Sequence, residues 1–298
     1  MGAPQPLFVL PIPEDPQQVI SATTLSSAAT GSSPPAGNFT LTEPSPQIYL
    51  LSFTSPPDNR LTPAFLSTFR LALDLILHSS KLRLKPGVLI TTSTITKFYS
   101  NGLDFESAIA DPNFFPVHLY PFWRRLLTFP MPTIALINGH AFAGGLMTAM
   151  MHDYRIMNPH KGFLCLNELE FGAPLQPPMA TIFKAKLPAP RSTLRTLALE
   201  AKRFPALDAL KNGLIDGVGG LPETLAFATE TKLVQKAQSP SYGLLKEELY
   251  KDAVSELTDW AAFRALFEAK ESERQQSEND ARRRVDEWAS VAGTKYKL

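Results

Sequence analysis

Between Asn138 and Asp153 the chain reads NGHAFAGGLMTAMMHD, and no other run restricts the fold so strongly. Gly144 and Gly145 sit where a loop would turn into a helix, and residues without a Cβ let backbone N–H groups come close to a ligand. A helix starting near Gly144 would aim its unpaired amides, and the positive end of its dipole, at whatever lies beside the two glycines. Anion-stabilising hardware of this kind needs rigid support. Leu146-Met147-Thr148-Ala149-Met150-Met151 supplies it, being apolar enough for a buried helix. On the other side, Thr133-Ile134-Ala135-Leu136-Ile137 reads as a buried strand, delivered into the glycine turn by Pro130 and Pro132.

The same alternation recurs upstream. Ile48-Tyr49-Leu50-Leu51-Ser52-Phe53 reads as a strand and Ser55-Pro56-Pro57-Asp58-Asn59 as a turn. Thr62 and Pro63 then provide an N-cap and a first helical residue, and Leu66, Phe69, Leu73, Ile76 and Leu77 follow at helical spacing. Val88-Leu89-Ile90-Thr91-Thr92 is the next strand, followed by an Asn101-Gly102 loop and helical material around Tyr120 to Phe129. Strand, loop and helix in rotation predict an α/β domain. Beyond about Pro188 the pattern is helical, with pieces near Arg191 to Ala201, Pro205 to Asn212, Pro222 to Gln238, Tyr242 to Leu257 and Trp260 to Trp288. The last is heavily charged and reads as a solvated face, with Phe263, Leu266 and Phe267 as an apolar stripe for the chain's own core or a neighbouring subunit.

Residues 1–45 differ in character. They are rich in Pro, Ser, Thr and Ala, the stretch from Ser21 to Asn38 lacks hydrophobic periodicity, and only Phe8-Val9-Leu10 and Phe39-Thr40-Leu41 could add short strands. The expected organisation is therefore an arm over 1–45, an α/β core over 46–205 and a helical region over 206–298. No Lys or Arg precedes Arg60, the opposite of an Arg-rich mitochondrial presequence. With 298 residues, 44% of them hydrophobic, the chain can bury a large core. Its 29 basic and 28 acidic residues give no global field for nucleic acid, and no apolar run approaches the roughly 18 residues that span a bilayer, so neither partner is expected. The single cysteine, Cys165, reads as a buried inert thiol in a reducing compartment.

Two motifs carry a family resemblance. Phe98-Tyr99-Ser100-Asn101-Gly102-Leu103-Asp104 resembles the first oxyanion segment of the crotonase, or enoyl-CoA hydratase/isomerase, superfamily, with the donating N–H on Leu103. The Asn138–Asp153 run is similar to the second, with Gly144 as donor. Order, a strand before each, and the Pro-Pro-x-Asn turn make the pair specific, and the resemblance covers roughly Gln47 to Thr224. It implies a spiral of ββα units closed by a helical C-terminal region, an acyl-CoA thioester as substrate, no cofactor beyond the coenzyme A of that substrate, no metal, and subunits packed as a homotrimer or homohexamer.

The departures from the family pattern are informative. Where the family's hydratases carry a first glutamate, this chain has Met147, which cannot transfer protons. A later glutamate has a match in Leu166-Asn167-Glu168-Leu169, similar to the Asn-Glu segment bearing the single base of the Δ3,Δ2-enoyl-CoA isomerases. The resemblance thus implies isomerisation of 3-enoyl-CoA to trans-2-enoyl-CoA in fatty-acid β-oxidation, with Glu168 carrying a proton from C2 to C4 while Leu103 and Gly144 stabilise the enolate oxygen. Hydration of an enoyl-CoA or another crotonase reaction on an acyl-CoA, and a non-catalytic acyl-CoA-binding subunit, are the alternatives. A carboxylate of ordinary pKa near 4.3 removes an α-proton only if the enolate is strongly stabilised, and one backbone donor contributes about 3 to 4 kcal/mol. Burial would raise the pKa of Glu168 toward its task.

Around these three, Asn59, Arg60, Asn101, Gly102, Phe122, Phe142, Gly145 and Pro174 are candidate substrate-binding residues, with Trp123 and Leu175 as further candidate walls. Core packing is the competing reading for Phe122, Trp123, Phe142, Pro174 and Leu175, and a plain surface turn for Asn59 and Arg60. Glu170 is the rival base, and Asp104 reads as a hydrogen-bonding residue. His140 and His152 lack metal-ligand spacing and read as satisfied core histidines, and Asp153 as the end of the glycine helix. Tyr296-Lys297-Leu298 resembles a Ser-Lys-Leu peroxisomal address with tyrosine in place of the small residue, so the peroxisomal matrix is the expected location and the cytoplasm the alternative.

Overall fold

Three times in succession the chain lays one strand in a large sheet, the next in a small sheet, and then turns into a helix. The computed structural model describes residues 5–14, 36–187 and 192–292. Ahead of the repeats come β1 (Phe8–Ile12), β2 (Gly37–Ser45), β3 (Ile48–Thr54) and α1 (Pro63–His78). The repeats are β4 (Val88–Ser93), β5 (Phe98–Ser100) and α2 (Phe105–Ala110), continued by a π-helical stretch, Phe114–Leu119, and α3 (Tyr120–Leu127); β6 (Thr133–Ile137), β7 (His140–Phe142) and α4 (Gly144–Met150); and β8 (Tyr154–Met157), β9 (Leu164–Cys165), a 3-10 turn at Glu168–Phe171, and α5 (Pro177–Lys186). After them lie α6 (Ser192–Leu199), α7 (Ala206–Lys211), β10 (Gly217–Val218), α8 (Leu221–Glu230), α9 (Leu233–Lys236), α10 (Tyr242–Leu249), α11 (Lys251–Thr258) and α12 (Trp260–Ala292).

The large sheet runs β1-β2-β3-β4-β6-β8-β10, antiparallel through β3 and parallel from there, while β5-β7-β9 form the small parallel sheet. Central parallel strands are covered on both faces and so read as continuous apolar runs; β6 is buried at all five positions. The described part of the arm is not separate from this sheet. Phe8 pairs with Leu41 and Ile12 with Gly37, and β2 pairs in turn with β3, so residues expected to form an arm extend the core sheet. Strand pairing across a long sequence gap leaves no trace in composition. Most of the Ser21–Asn38 stretch lies outside the described residues.

Helix α1 starts as its residues dictate: Pro63 is the first helical residue and Thr62 Oγ1 accepts from the Phe65 N–H. Its buried face carries Phe65, Leu66, Phe69, Leu73 and Ile76. Phe39, Phe53, Phe65, Phe69 and Phe122 form one aromatic cluster, with Phe69 and Phe122 centroids 4.8 Å apart. Expected helices 222–238 and 242–257 are each two helices. Lys232, at φ +55°, breaks the first, and the second is interrupted at Tyr250.

The chain divides into two compact units between Thr258 and Asp259, a boundary that composition, with its breaks at 45/46 and 205/206, does not mark. The second unit, Asp259–Leu298, contains α12, 33 residues carrying Arg264–Glu268 and Arg283–Asp280 ion pairs at 2.8 and 3.1 Å. Leu266 on it is exposed and Phe267 half-buried; the side chain of Phe263 lies outside the described residues. No described helix is long and apolar enough to cross a membrane.

Candidate functional site

The two glycine motifs, far apart in sequence, meet where the small sheet ends. A Cβ built on Gly145 would fall 2.4 Å from the Ser100 carbonyl oxygen, and one on Gly102 would fall 3.1 Å from the Gly144 nitrogen. Space demands glycine at 145, and at 102 the contact is tight and φ is +82°, a conformation that favours glycine. Ala143, just before α4, is held at φ +47°, a conformation that costs an alanine of order 1–3 kcal/mol. It is fixed by its N–H bond to Cys165 O at 2.9 Å and by its carbonyl, which accepts from Met147 N–H at 3.0 Å. The result is that Gly144 opens the helix with an N–H that donates to no acceptor among the described residues, and the same holds for the Leu103 N–H. Leu103 is adjacent, its Cδ2 3.1 Å from the position a Gly144 Cβ would take.

Both residues line a cavity of about 760 Å³, and so does Glu168. Glu168 starts the 3-10 turn after β9, is 8% exposed, and its Oε2 has no hydrogen-bond partner among the described residues. Burial pushes its carboxyl up to about 7, against a smaller downward pull from its own backbone N–H. Leu103, Met147, Phe171, Pro174 and Met179 give the cavity much of its apolar wall. Asn167 Oδ1 and Asp58 Oδ1, also in the lining, are buried without partners among the described residues. Such orphaned polar atoms are expensive in a core and cluster where a ligand is to be met.

The other carboxyls in the lining are differently placed. Asp58 is held by Arg60 at 3.1 Å and Asn101 at 2.7 Å, Asp104 accepts from Ser107 Oγ at 2.8 Å, and Glu106 is exposed. Glu170 lies outside the lining, exposed and 3.9 Å from Arg203.

Of the sequence candidates, Arg60, Asn101, Leu103, Gly144, Glu168 and Pro174 are brought together around the cavity. Five others are not in its lining. Asn59 is fully buried, accepting from Ser55 N–H at 2.7 Å and donating to Ser93 Oγ at 2.6 Å and Tyr99 O at 3.1 Å, so it ties the first turn to β4 and β5. Phe122 belongs to the aromatic core, and its neighbour Trp123 donates to Thr148 Oγ1 at 2.9 Å, fastening α3 to α4. Phe142 packs on His140, two residues earlier and so on the same face of β7, with ring centroids 4.8 Å apart. Gly102 and Gly145 allow the backbones to touch. Leu175 also stands outside the lining.

Asp58, Phe115, Gln176 and Met179 line the cavity without having been singled out. Asp58 had a signal in its place between Pro57 and Asn59; Phe115 lies in π-helical backbone, whose period hides it from a 3.6-residue template.

His152 is fully buried between Thr91 Oγ1 (2.8 Å) and Thr148 O (3.1 Å), with burial lowering it to about 3. His140 is also lowered, by burial and then by Lys97 and Arg203. Cys165 is buried, pushed up to about 11 by burial. Helix α4 ends at Met150, and Asp153 beyond it accepts from Lys246 Nζ at 3.0 Å. Among the described residues no three His, Cys, Asp or Glu are grouped to hold a metal.

One cavity of this fold thus holds two backbone N–H groups without a described acceptor and a buried carboxyl. The family model described as enoyl-CoA hydratase/isomerase matches residues 44–287. The chain belongs to that family, within the crotonase superfamily. "Enoyl-CoA delta isomerase 1, peroxisomal" of Arabidopsis thaliana is 31% identical over 215 residues, 70% of this chain and 88% of the relative. "Enoyl-CoA delta isomerase 3" of the same plant is 30% identical, over 69% and 89%. The crystal structure of human mitochondrial Δ3-Δ2-enoyl-CoA isomerase superposes with TM-score 0.59 at 22% identity, covering 80% of this chain and 98% of that one, which establishes the shared fold.

Proposed function

We propose that this protein is an acyl-CoA isomerase that converts 3-enoyl-CoA to trans-2-enoyl-CoA. Glu168, as carboxylate, takes a proton from C2; the electrons move into the thioester, the C3–C4 double bond shifts to C2–C3, and the same carboxyl returns a proton to C4. The negative charge that appears on the thioester oxygen meets the N–H groups of Leu103 and Gly144. The observation that carries this reading is one cavity shared by two unpaired backbone donors and a buried carboxyl with a free oxygen, raised to about 7. A base poised there is half ionised near neutral pH and strong enough to act. The relatives named enoyl-CoA delta isomerase support the substrate class.

Hydration is the rival. It calls for a second carboxyl to manage water, and at the family's hydratase position the cavity presents the Met147 side chain. Supplying 3-enoyl-CoA and following the conjugated product by absorbance, with 2-enoyl-CoA consumption measured in parallel, separates the two. Glu168→Gln is expected to bind thioester and fail to convert it. Wild-type hydration without isomerisation would replace the proposal, and absence of both would favour a binding subunit.

The reading extends to place and assembly. A role in fatty-acid β-oxidation, in the peroxisomal matrix, is supported by the relative named peroxisomal, while the human neighbour is mitochondrial. Tyr296-Lys297-Leu298 lies outside the described residues; deleting it from an otherwise intact fluorescent fusion and watching for loss of peroxisomal signal tests the address. A trimer or pair of trimers is proposed from the family, and light scattering after gel filtration decides it.

A further inference from the structure

We propose that Arg60 is a positioning residue: it aims the Leu103 donor by clamping residues 101–103 against the Asp58–Leu61 turn, and does not bind substrate. The inference rests on the proposed role of Leu103 as a donor to the thioester oxygen.

Asn101, Gly102 and Leu103 hold three carbonyls and three N–H groups. The Asn101 carbonyl accepts from Arg60 Nη1 at 3.4 Å, the Gly102 carbonyl from Leu61 N–H at 2.9 Å, and the Leu103 carbonyl from Arg60 Nη1 at 2.7 Å. Asn101 N–H donates to Asp58 O at 3.0 Å and Gly102 N–H to Ser100 Oγ at 3.2 Å. Five of the six groups are thus engaged, four of them by Asp58, Arg60 and Leu61. The sixth is the Leu103 N–H.

Its direction follows from peptide geometry. In a trans peptide the C=O and the next N–H point to opposite sides of the chain. Anchoring the Gly102 carbonyl on Leu61 therefore turns the Leu103 N–H away from the turn. The Leu103 carbonyl, the other end of that residue, is fixed by the guanidinium. Arg60 is itself oriented: Nε donates to Asp58 Oδ2 at 3.1 Å, and Asn101 Nδ2 donates to the same oxygen at 2.7 Å. A planar fork held by a carboxylate at one edge and by carbonyls at the other has a fixed attitude, which a lysine could not reproduce. The side chain is 41% exposed, as a phosphate-binding arginine would be, yet Nε and Nη1 are both committed within the protein.

The test uses Arg60→Ala and Arg60→Lys with two readouts. One is the infrared C=O stretch of a bound saturated acyl-CoA, which cannot react and whose frequency falls as the oxyanion donors strengthen. The other is the separation of kcat from KM for 3-enoyl-CoA. The expected result is a wild-type carbonyl shifted to lower frequency, at least half of that shift lost in Arg60→Ala, kcat down about 10- to 100-fold and KM within about threefold, since a donor displaced by a fraction of an ångström loses part of its effect. Arg60→Lys is expected to fall between, and it carries both readouts alone should the alanine variant not fold. A KM raised tenfold with the carbonyl shift intact would make Arg60 a substrate contact and overturn the proposal. An unaltered shift and kcat in both variants would overturn it too, leaving the isomerase reading standing. A wild-type carbonyl that does not shift at all would remove the donors and both readings together.

Discussion

Two buried polar regions of this molecule are built on opposite rules. Beneath α10 and α11, Asp153 Oδ2 accepts from Thr133 N–H at 2.9 Å, Thr133 Oγ1 at 3.2 Å, Tyr242 OH at 3.3 Å and Lys246 Nζ at 3.0 Å. Lys246 also reaches Phe129 O at 2.9 Å, and Arg155 pairs with Asp216 at 2.8 Å while donating to Leu214 O and His152 O. Around the cavity, by contrast, Glu168 Oε2, Asn167 Oδ1 and Asp58 Oδ1 are buried and, among the described residues, have no partner, and two backbone N–H groups donate to nothing described. A closed network holds a fold, because each charge it buries is met. An open one holds a position for something else, at a cost the rest of the protein has to cover.

That contrast can be broken experimentally, and the largest effect belongs to the open region. Glu168→Gln should lower kcat by about 10³-fold or more, as loss of a general base does, with KM little changed. A fall of less than tenfold would remove Glu168 from the proton transfer. Next is the closed network. Lys246→Met leaves Asp153 buried without its cation and should destabilise the protein by about 3 kcal/mol, read as a lower urea midpoint. Activity per folded molecule should be unchanged; a matching loss of kcat would mean the two regions are coupled.

The pH response is smaller and has two signs. The kcat/KM of the wild type should rise with pH through a midpoint near 7 and then level, since the base must be ionised. Stability should move the other way. A carboxyl raised from 4.5 to about 7 holds its proton more tightly folded than unfolded, so the fold loses stability as pH climbs through that window, by up to roughly 3 kcal/mol. Glu168→Gln should flatten that decline in thermal melts at pH 5 and pH 8; an unchanged slope would show that the carboxyl is not buried in solution. The smallest effect is expected at Glu170, exposed and outside the lining, where replacement by Gln should alter kcat/KM by less than twofold.

How far the sequence foretold this depends on what each residue is asked to do. Gly102 and Gly145 announce themselves, because a backbone that must touch another backbone has one residue to use. Met147 and Glu168 differ in chemistry that the sequence states outright, one unable to carry a proton and the other able, and both line the cavity. Asn59 was not, since the same amide suits a ligand or a buried turn, and only the fold directs it to Ser93 and Tyr99. Phe122 and Phe142 fail for a related reason: an aromatic ring fits a core or a wall equally well, and which it meets depends on packing of α1 and on the pleat of β7. The pairing of Phe8 with Leu41 was hidden by the length of chain between them.

The donor proposed at residue 103 belongs to the peptide and not to the leucine attached to it. Replacing side chains one at a time, the usual way of mapping an enzyme, will pass over it, since Leu103→Ala keeps the N–H while Leu103→Pro deletes it. A survey that scores only side-chain loss can test the role proposed for Glu168 and is blind to the one proposed for the Leu103 N–H.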